Sequence, residues 1–126
     1  MSFSLVIYTL GRFLLGAAFV VFGIRNIKNI PRLTEAMEKK GVLTQPRTWI
    51  LVGVGIQIVG GAMVALGILA WLGALALGAF LLLAAYLFHP FWEYPAEEQT
   101  VHINAWIMNV GLTGAFLMIA ASGFFF

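Results

Sequence analysis

The 126-residue chain contains no cysteine, which excludes a disulfide framework, iron–sulfur ligation and thiol catalysis together. Any redox chemistry has to use a borrowed cofactor. Charge is also scarce. Asp, Glu, Lys and Arg make up 10% of the residues, against roughly a quarter in ordinary globular chains, too little polar surface to cover a water-soluble core. What is plentiful is apolar: 62% hydrophobic residues before the 14 glycines are counted, with a mean hydropathy of +0.99. The composition is that of an integral membrane protein. A net charge of +2 in such a chain reflects topology rather than affinity for nucleic acid, so no nucleic-acid partner is expected.

A spanning helix needs about 20 mostly apolar residues to cross about 30 Å of hydrocarbon. Four such runs occur, at about residues 3–24, 49–66, 71–88 and 101–123. The stretch from Trp49 to Phe88 holds no Asp, Glu, Lys or Arg and is long enough to cross twice, so it is expected to fold as a hairpin turning between Gly67 and Trp71. The fourth run continues to the carboxyl end, where Phe124, Phe125 and Phe126 are expected to fray. A secretory-signal reading of the first run is disfavoured, since it has no basic leader and Arg12 interrupts its apolar stretch. Between the first two spans, PRLTEAMEKKG begins with Pro31 and ends at Gly41, the signature of a short helix. Leu33, Ala36 and Met37 share one side, and Lys39 and Lys40 can reach headgroups, so this helix is expected at the membrane surface. The expected fold is all-α: a four-helix transmembrane bundle with one short amphipathic helix between helices one and two, forming a single domain over residues 1–126.

Six of the seven Lys and Arg residues (Arg25, Lys28, Arg32, Lys39, Lys40, Arg47) lie in or beside the first loop. The positive-inside rule makes that loop cytoplasmic, puts the third loop on the same side and leaves both termini outside. The third loop carries Glu93, Glu97 and Glu98, with His89 and His102 at its edges. The two loops are opposite in charge and can pair, though exposed pairs contribute little.

Most of the glycines in spans one, two and four suit close helix packing in lipid, and Gly60 and Gly61 have no strand-to-helix context that would make a nucleotide loop. Polar residues inside the spans are more informative, because a charge at mid-bilayer costs at least about 2.5–3.5 kcal/mol and persists only with a partner or a task. Arg12 is the one such charge. Counted from the helix ends, Arg12, Gln57 and Asn109 all fall roughly 12–14 Å deep, which predicts one polar plane joining three helices, extended by Tyr8 and Thr113. Two readings stay open: a structural polar core, or a ligand site in which Leu15, Phe19 and Val54 supply apolar walls. His89 and His102 bracket an antiparallel hairpin at similar depth. Their spacing matches no metal-ligand motif, so His89 and Trp92 are read as interfacial residues, with no metal expected.

Four segments in order resemble the DoxX family of small four-helix bacterial membrane proteins. GRFLLGAAFVVFG resembles its helix-one pattern of an early Arg, a Phe and a late Gly. IQIVGGAMVALGI resembles its helix-two glycine pair, AYLFHPFW its Phe-His close to helix three, and MNVGLTGAFLMIA its helix-four Asn with a glycine five residues on. Arg12, His89 and Asn109 match the pattern. The acidic residue usual before the glycine pair is Gln57 here, the Lys usual before the helix-four Asn is Met108, and the Lys common after the late helix-one Gly is Asn26. The resemblance implies a multi-pass protein of the bacterial inner membrane, linked to quinone-dependent oxidoreduction, notably thiosulfate to quinone electron transfer, or to oxidative-stress complexes.

On that implication the chain is at most a membrane subunit of a quinone-linked oxidoreductase. No covalent or metal cofactor is expected; a quinone-like amphiphile is expected near Arg12 and a soluble redox partner at the cytoplasmic loops. A proton-coupled multidrug exporter is disfavoured because every Glu lies outside the spans. The serious rival is a non-catalytic membrane binding or assembly protein with a structural polar core, as a monomer or an oligomer.

Overall fold

The computed structural model describes residues 2–123, and among these there are only helices and the turns that join them. The expectation for Phe124, Phe125 and Phe126 lies outside the described residues. Helix α1 runs Phe3–Asn26, and the Ser2 hydroxyl caps it by accepting the Leu5 N–H at 3.1 Å. A short 3-10 turn, Ile27–Asn29, leads into α2, Ile30–Lys40. Pro31 occupies the first turn, where a missing N–H costs nothing, and Gly41 closes the helix in the left-handed region at φ 66°. The inward stripe of α2 is Ile30, Leu33, Thr34 and Met37, at the i, i+3, i+4, i+7 spacing of a helix face, whereas Ala36 is exposed rather than on the packed side.

The second span is α3, Pro46–Gly55, continued through a π-helical turn, Ile56–Gly60, into α4, Gly61–Leu66. It starts before Trp49 because Pro46 is pre-set for a first helical position. Gly67, left-handed at φ 76°, ends it, and α5 follows as Ala70–Phe88. A 3-10 turn, Phe91–Glu93, then leads to α6, Ala96–Ser122. Helix α6 begins five residues ahead of Val101, since Pro95 precedes its first turn and Glu97 and Glu98 suit the positive end of its dipole. Glu97, Glu98 and His102 are therefore helical rather than in a loop.

The spans pack as antiparallel neighbours through small residues. A Cβ on Gly16 would lie 2.4 Å from the Ala65 nitrogen and 2.5 Å from the Gly61 oxygen, so α1 and α4 touch backbone to backbone. Gly60 and Gly73 bring the second span against α5 in the same way. Phe19, Val64, Leu77, Leu81, Phe116 and Ile119 fill the middle, with Phe19 and Phe116 edge to face at 5.2 Å. A second cluster of Ile30, Met37, Ile50 and Val54 ties α2 to the foot of α3. The outer faces are as apolar as the core: Leu14, Val59, Leu83, Ile107 and Met118 are all more than half exposed. In water that surface would aggregate, and four helices are long and apolar enough to cross a bilayer. The molecule is a multi-pass membrane protein in contact with lipid. One end carries the charged first and third loops; the other carries the Gly67 turn.

Candidate functional site

The contact of Gly16 with Gly61 and Ala65 sets the register of α1, and that register decides where Arg12 lies. One turn before Gly16, the guanidinium reaches the Gly67 turn: its Nη2 is 2.8 Å from where a Gly67 Cβ would stand. The absent side chain is what leaves room for it. Farther along α1, Gly23 meets Gln57 and Ile58. Gln57 and Gly67 are separated by about 15 Å of helical rise, so Arg12 and Gln57 are not neighbours. The expected polar plane is thus split. The depth count failed because it took the helix ends as flush with the membrane faces, the outer face for helix one and the inner face for helices two and four, whereas the first two turns of α1 stand beyond the Gly67 turn, where Phe3 is 79% exposed.

Three separate polar arrangements result. At the Gly67 end, Arg12 lies over the Tyr8 ring, 5.7 Å from its centroid, and Tyr8 hydrogen-bonds Ser122 on α6. The Ser122 hydroxyl donates to the Ile119 carbonyl at 2.7 Å, so the phenol is the donor to Ser122. The Arg12 Nε is buried and has no hydrogen-bond partner. In the α1–α3 seam, Gln57 is buried and its Oε1 accepts from Asn26 Nδ2 at 3.0 Å, while Asn26 Oδ1 accepts from Asn29 at 3.2 Å. In the α5–α6 seam, Asn109 Nδ2 donates to the Leu81 carbonyl at 2.9 Å and the Thr113 hydroxyl donates back to the Asn109 carbonyl at 2.7 Å. The Asn26–Gln57 and Asn109–Leu81 contacts are helix-to-helix hydrogen bonds of the kind that hold a bundle together in lipid, whereas the Thr113 bond lies within α6.

The proposed walls separate too. Phe19 sits in the central core with Leu15 packed against it, and Val54 belongs to the cluster under α2. Sequence reasoning missed Asn26, Asn29 and Ser122. The i, i+3 pair of Asn26 and Asn29 at the end of the first span was a usable signal for the first two; Ser122 had none.

At the charged end, the structure brings His89 and His102 together. Their Nδ1 atoms are 3.0 Å apart, so one ring donates its proton to the bare nitrogen of the other. Tyr94 stacks on His102 at 4.0 Å, and the Trp106 indole donates to the His89 carbonyl at 2.7 Å. Trp92 lies among Phe91, Tyr86 and Trp106. Among the described residues no group of three or more His, Cys, Asp or Glu is placed to hold a metal ion. The ion pair found there is Lys39–Glu35 within α2, at 3.3 Å, rather than one between the two loops.

Neither a curated protein nor a solved structure matches the chain significantly. The DoxX family model, by contrast, matches residues 7–90, which take in Arg12, the Gly16 contact, the Gly60–Gly61 pair and His89. With more than half its length matched and a four-span helical fold, the chain belongs to the DoxX family.

Proposed function

We propose that this DoxX protein serves as a membrane subunit in quinone-linked oxidoreduction or in an oxidative-stress complex, holding the headgroup of a quinone-like amphiphile at the Arg12 corner. The observation that carries the reading is the buried Arg12 Nε without a partner. An unpaired buried donor costs about 1–3 kcal/mol, and a carbonyl oxygen placed there would recover it. Tyr8 supports one face of the guanidinium, and the exposed apolar faces of α1 beside it, at Leu10 and Leu14, suit an isoprenoid tail lying in lipid. A quinone would supply the electron-accepting chemistry; the chain's own residues bind and orient it. In the bacterial inner membrane, the positive-inside rule puts the Arg12 corner and both termini on the periplasmic side and the charged loops on the cytoplasmic side, within reach of a soluble redox partner.

One observation favours a second reading, in which the chain is a binding or assembly protein and Arg12 is structural. The guanidinium lies against the C-terminal end of α4, whose unpaired carbonyls carry about half a negative charge. That end partly compensates Arg12 without any ligand. Mass spectrometry of gently extracted protein separates the two readings: a quinone retained by the wild type and lost in Arg12→Leu supports the first, and its absence from the wild type favours the second.

A further inference from the structure

A cleft of about 210 Å³ opens at the charged end, far from Arg12, between the last residue of α2 and the foot of α5. Lys40 and Val42 line one side, and Tyr86, Leu87, Pro90, Trp92 and Glu93 the other. Its volume is below the roughly 300–1,000 Å³ of sites that enclose drug-sized ligands, so it suits a headgroup better than a ring with substituents. Helix α5 ends at Phe88, which puts the cleft at the depth where hydrocarbon gives way to headgroups.

The charges are unusual. Lys40 and Glu93 both face this one space, yet they do not pair with each other, whereas Lys39 beside them pairs with Glu35. An anion alone would meet Glu93, and a cation alone would meet Lys40. A group carrying both charges a few bonds apart meets each with its opposite. We propose that the cleft binds the headgroup of a zwitterionic phospholipid, its phosphate at Lys40 and its ammonium at Glu93. Tyr86 and Trp92, whose rings stand 5.9 Å apart, add aromatic surface for the ammonium. Leu87, Val42 and Pro90 meet the glycerol end, where the chains turn into the bilayer. The bound lipid bridges the end of α2 and the turn after α5, above the packing of Leu87 and Phe88 on the cluster that holds Ile30 and Met37.

The test uses delipidated full-length protein in mild detergent, exposed in turn to phosphatidylethanolamine, phosphatidylcholine and phosphatidylglycerol, with retained lipid read by native mass spectrometry. The wild type should keep the two zwitterionic lipids roughly fivefold better than phosphatidylglycerol, the size of one partly screened charge contact. Glu93→Gln should erase that preference. Lys40→Gln should lower retention of all three lipids, Lys40→Arg should restore it, and Arg47→Gln, a cation outside the cleft, should change nothing. Retention of phosphatidylglycerol by the wild type as strong as that of phosphatidylethanolamine would overturn the proposal, because a basic surface would then be capturing any lipid. A preference that survives Glu93→Gln, or retention unchanged by Lys40→Gln, would overturn it equally.

Discussion

Adding one methyl group at Gly16 should damage this bundle more than any other single methyl on α1. The new Cβ would stand 2.4 Å from the Ala65 nitrogen, 2.5 Å from the Gly61 oxygen and 2.8 Å from the Ala65 Cα. Ordinary contact begins near 3.4 Å, so α1 and α4 would have to separate by about 1 Å. All three opposing atoms are backbone, and no rotamer change can relieve the clash. Overpacking of a close-packed interior costs about 1–3 kcal/mol, and with no flexible side chain to yield, Gly16→Ala should fall at the upper end. The same change at Gly111 or Gly11 meets nothing within 4 Å, and there alanine should be neutral or stabilising by up to about 1 kcal/mol, since it suits a helix better than glycine. Reversible unfolding in mixed micelles, followed by circular dichroism, measures the difference. If Gly16→Ala and Gly111→Ala unfold at the same point, α1 does not rest on the α4 backbone, and the placement of Arg12 that depends on this register fails with it.

Other outcomes follow from the same geometry. Gly67→Ala should cost more than Gly41→Ala in the same unfolding assay: both impose left-handed strain of about 1–2 kcal/mol, but only at Gly67 does the methyl also strike the Arg12 guanidinium. Gln57→Glu should destabilise the protein by about 2–3 kcal/mol, because the new carboxylate would be buried opposite Asn26, with Arg12 at the Gly67 turn about 15 Å of helical rise away; unchanged or increased stability would mean that Arg12 lies closer than the Gly67 contact places it. Reporter fusions at either terminus should be active only in the periplasm, given the gathering of cations in the first loop, and a carboxyl-terminal fusion active in the cytoplasm would invert the topology.

Much of the fold was legible because its signals are local. Hydropathy marked the four spans, Pro31 and Gly41 bracketed α2, and Gly67 marked the hairpin turn. The start of α6 was obscured by glutamates that look like loop residues yet stabilise a first helical turn. The candidate site was legible residue by residue but not in its assembly. Arg12, Gln57 and Asn109 all stood out as polar groups within apolar runs, but how far α1 slides along α4 is set by a contact between Gly16 and residues about 45–50 positions away, which no count along one helix contains. Gln57 adds a second cause. It lies in a π-helical turn, which shifts the helix phase, and it faces Asn26 at the seam with α1.

The central claim is that the Arg12 corner holds an acceptor-bearing amphiphile, and the most direct measurement is the quinone content of protein extracted gently from its native membrane, compared between wild type and Arg12→Leu. The substitution removes a partly desolvated charge and a favourable contact with the end of α4, effects of opposite sign, so stability should change by no more than about 1 kcal/mol and the comparison is between folded proteins. Retention of a quinone by the wild type and its loss from the equally helical variant is the predicted result; equal retention by both, or none by the wild type, would contradict the claim and leave Arg12 as a structural clamp on the end of α4.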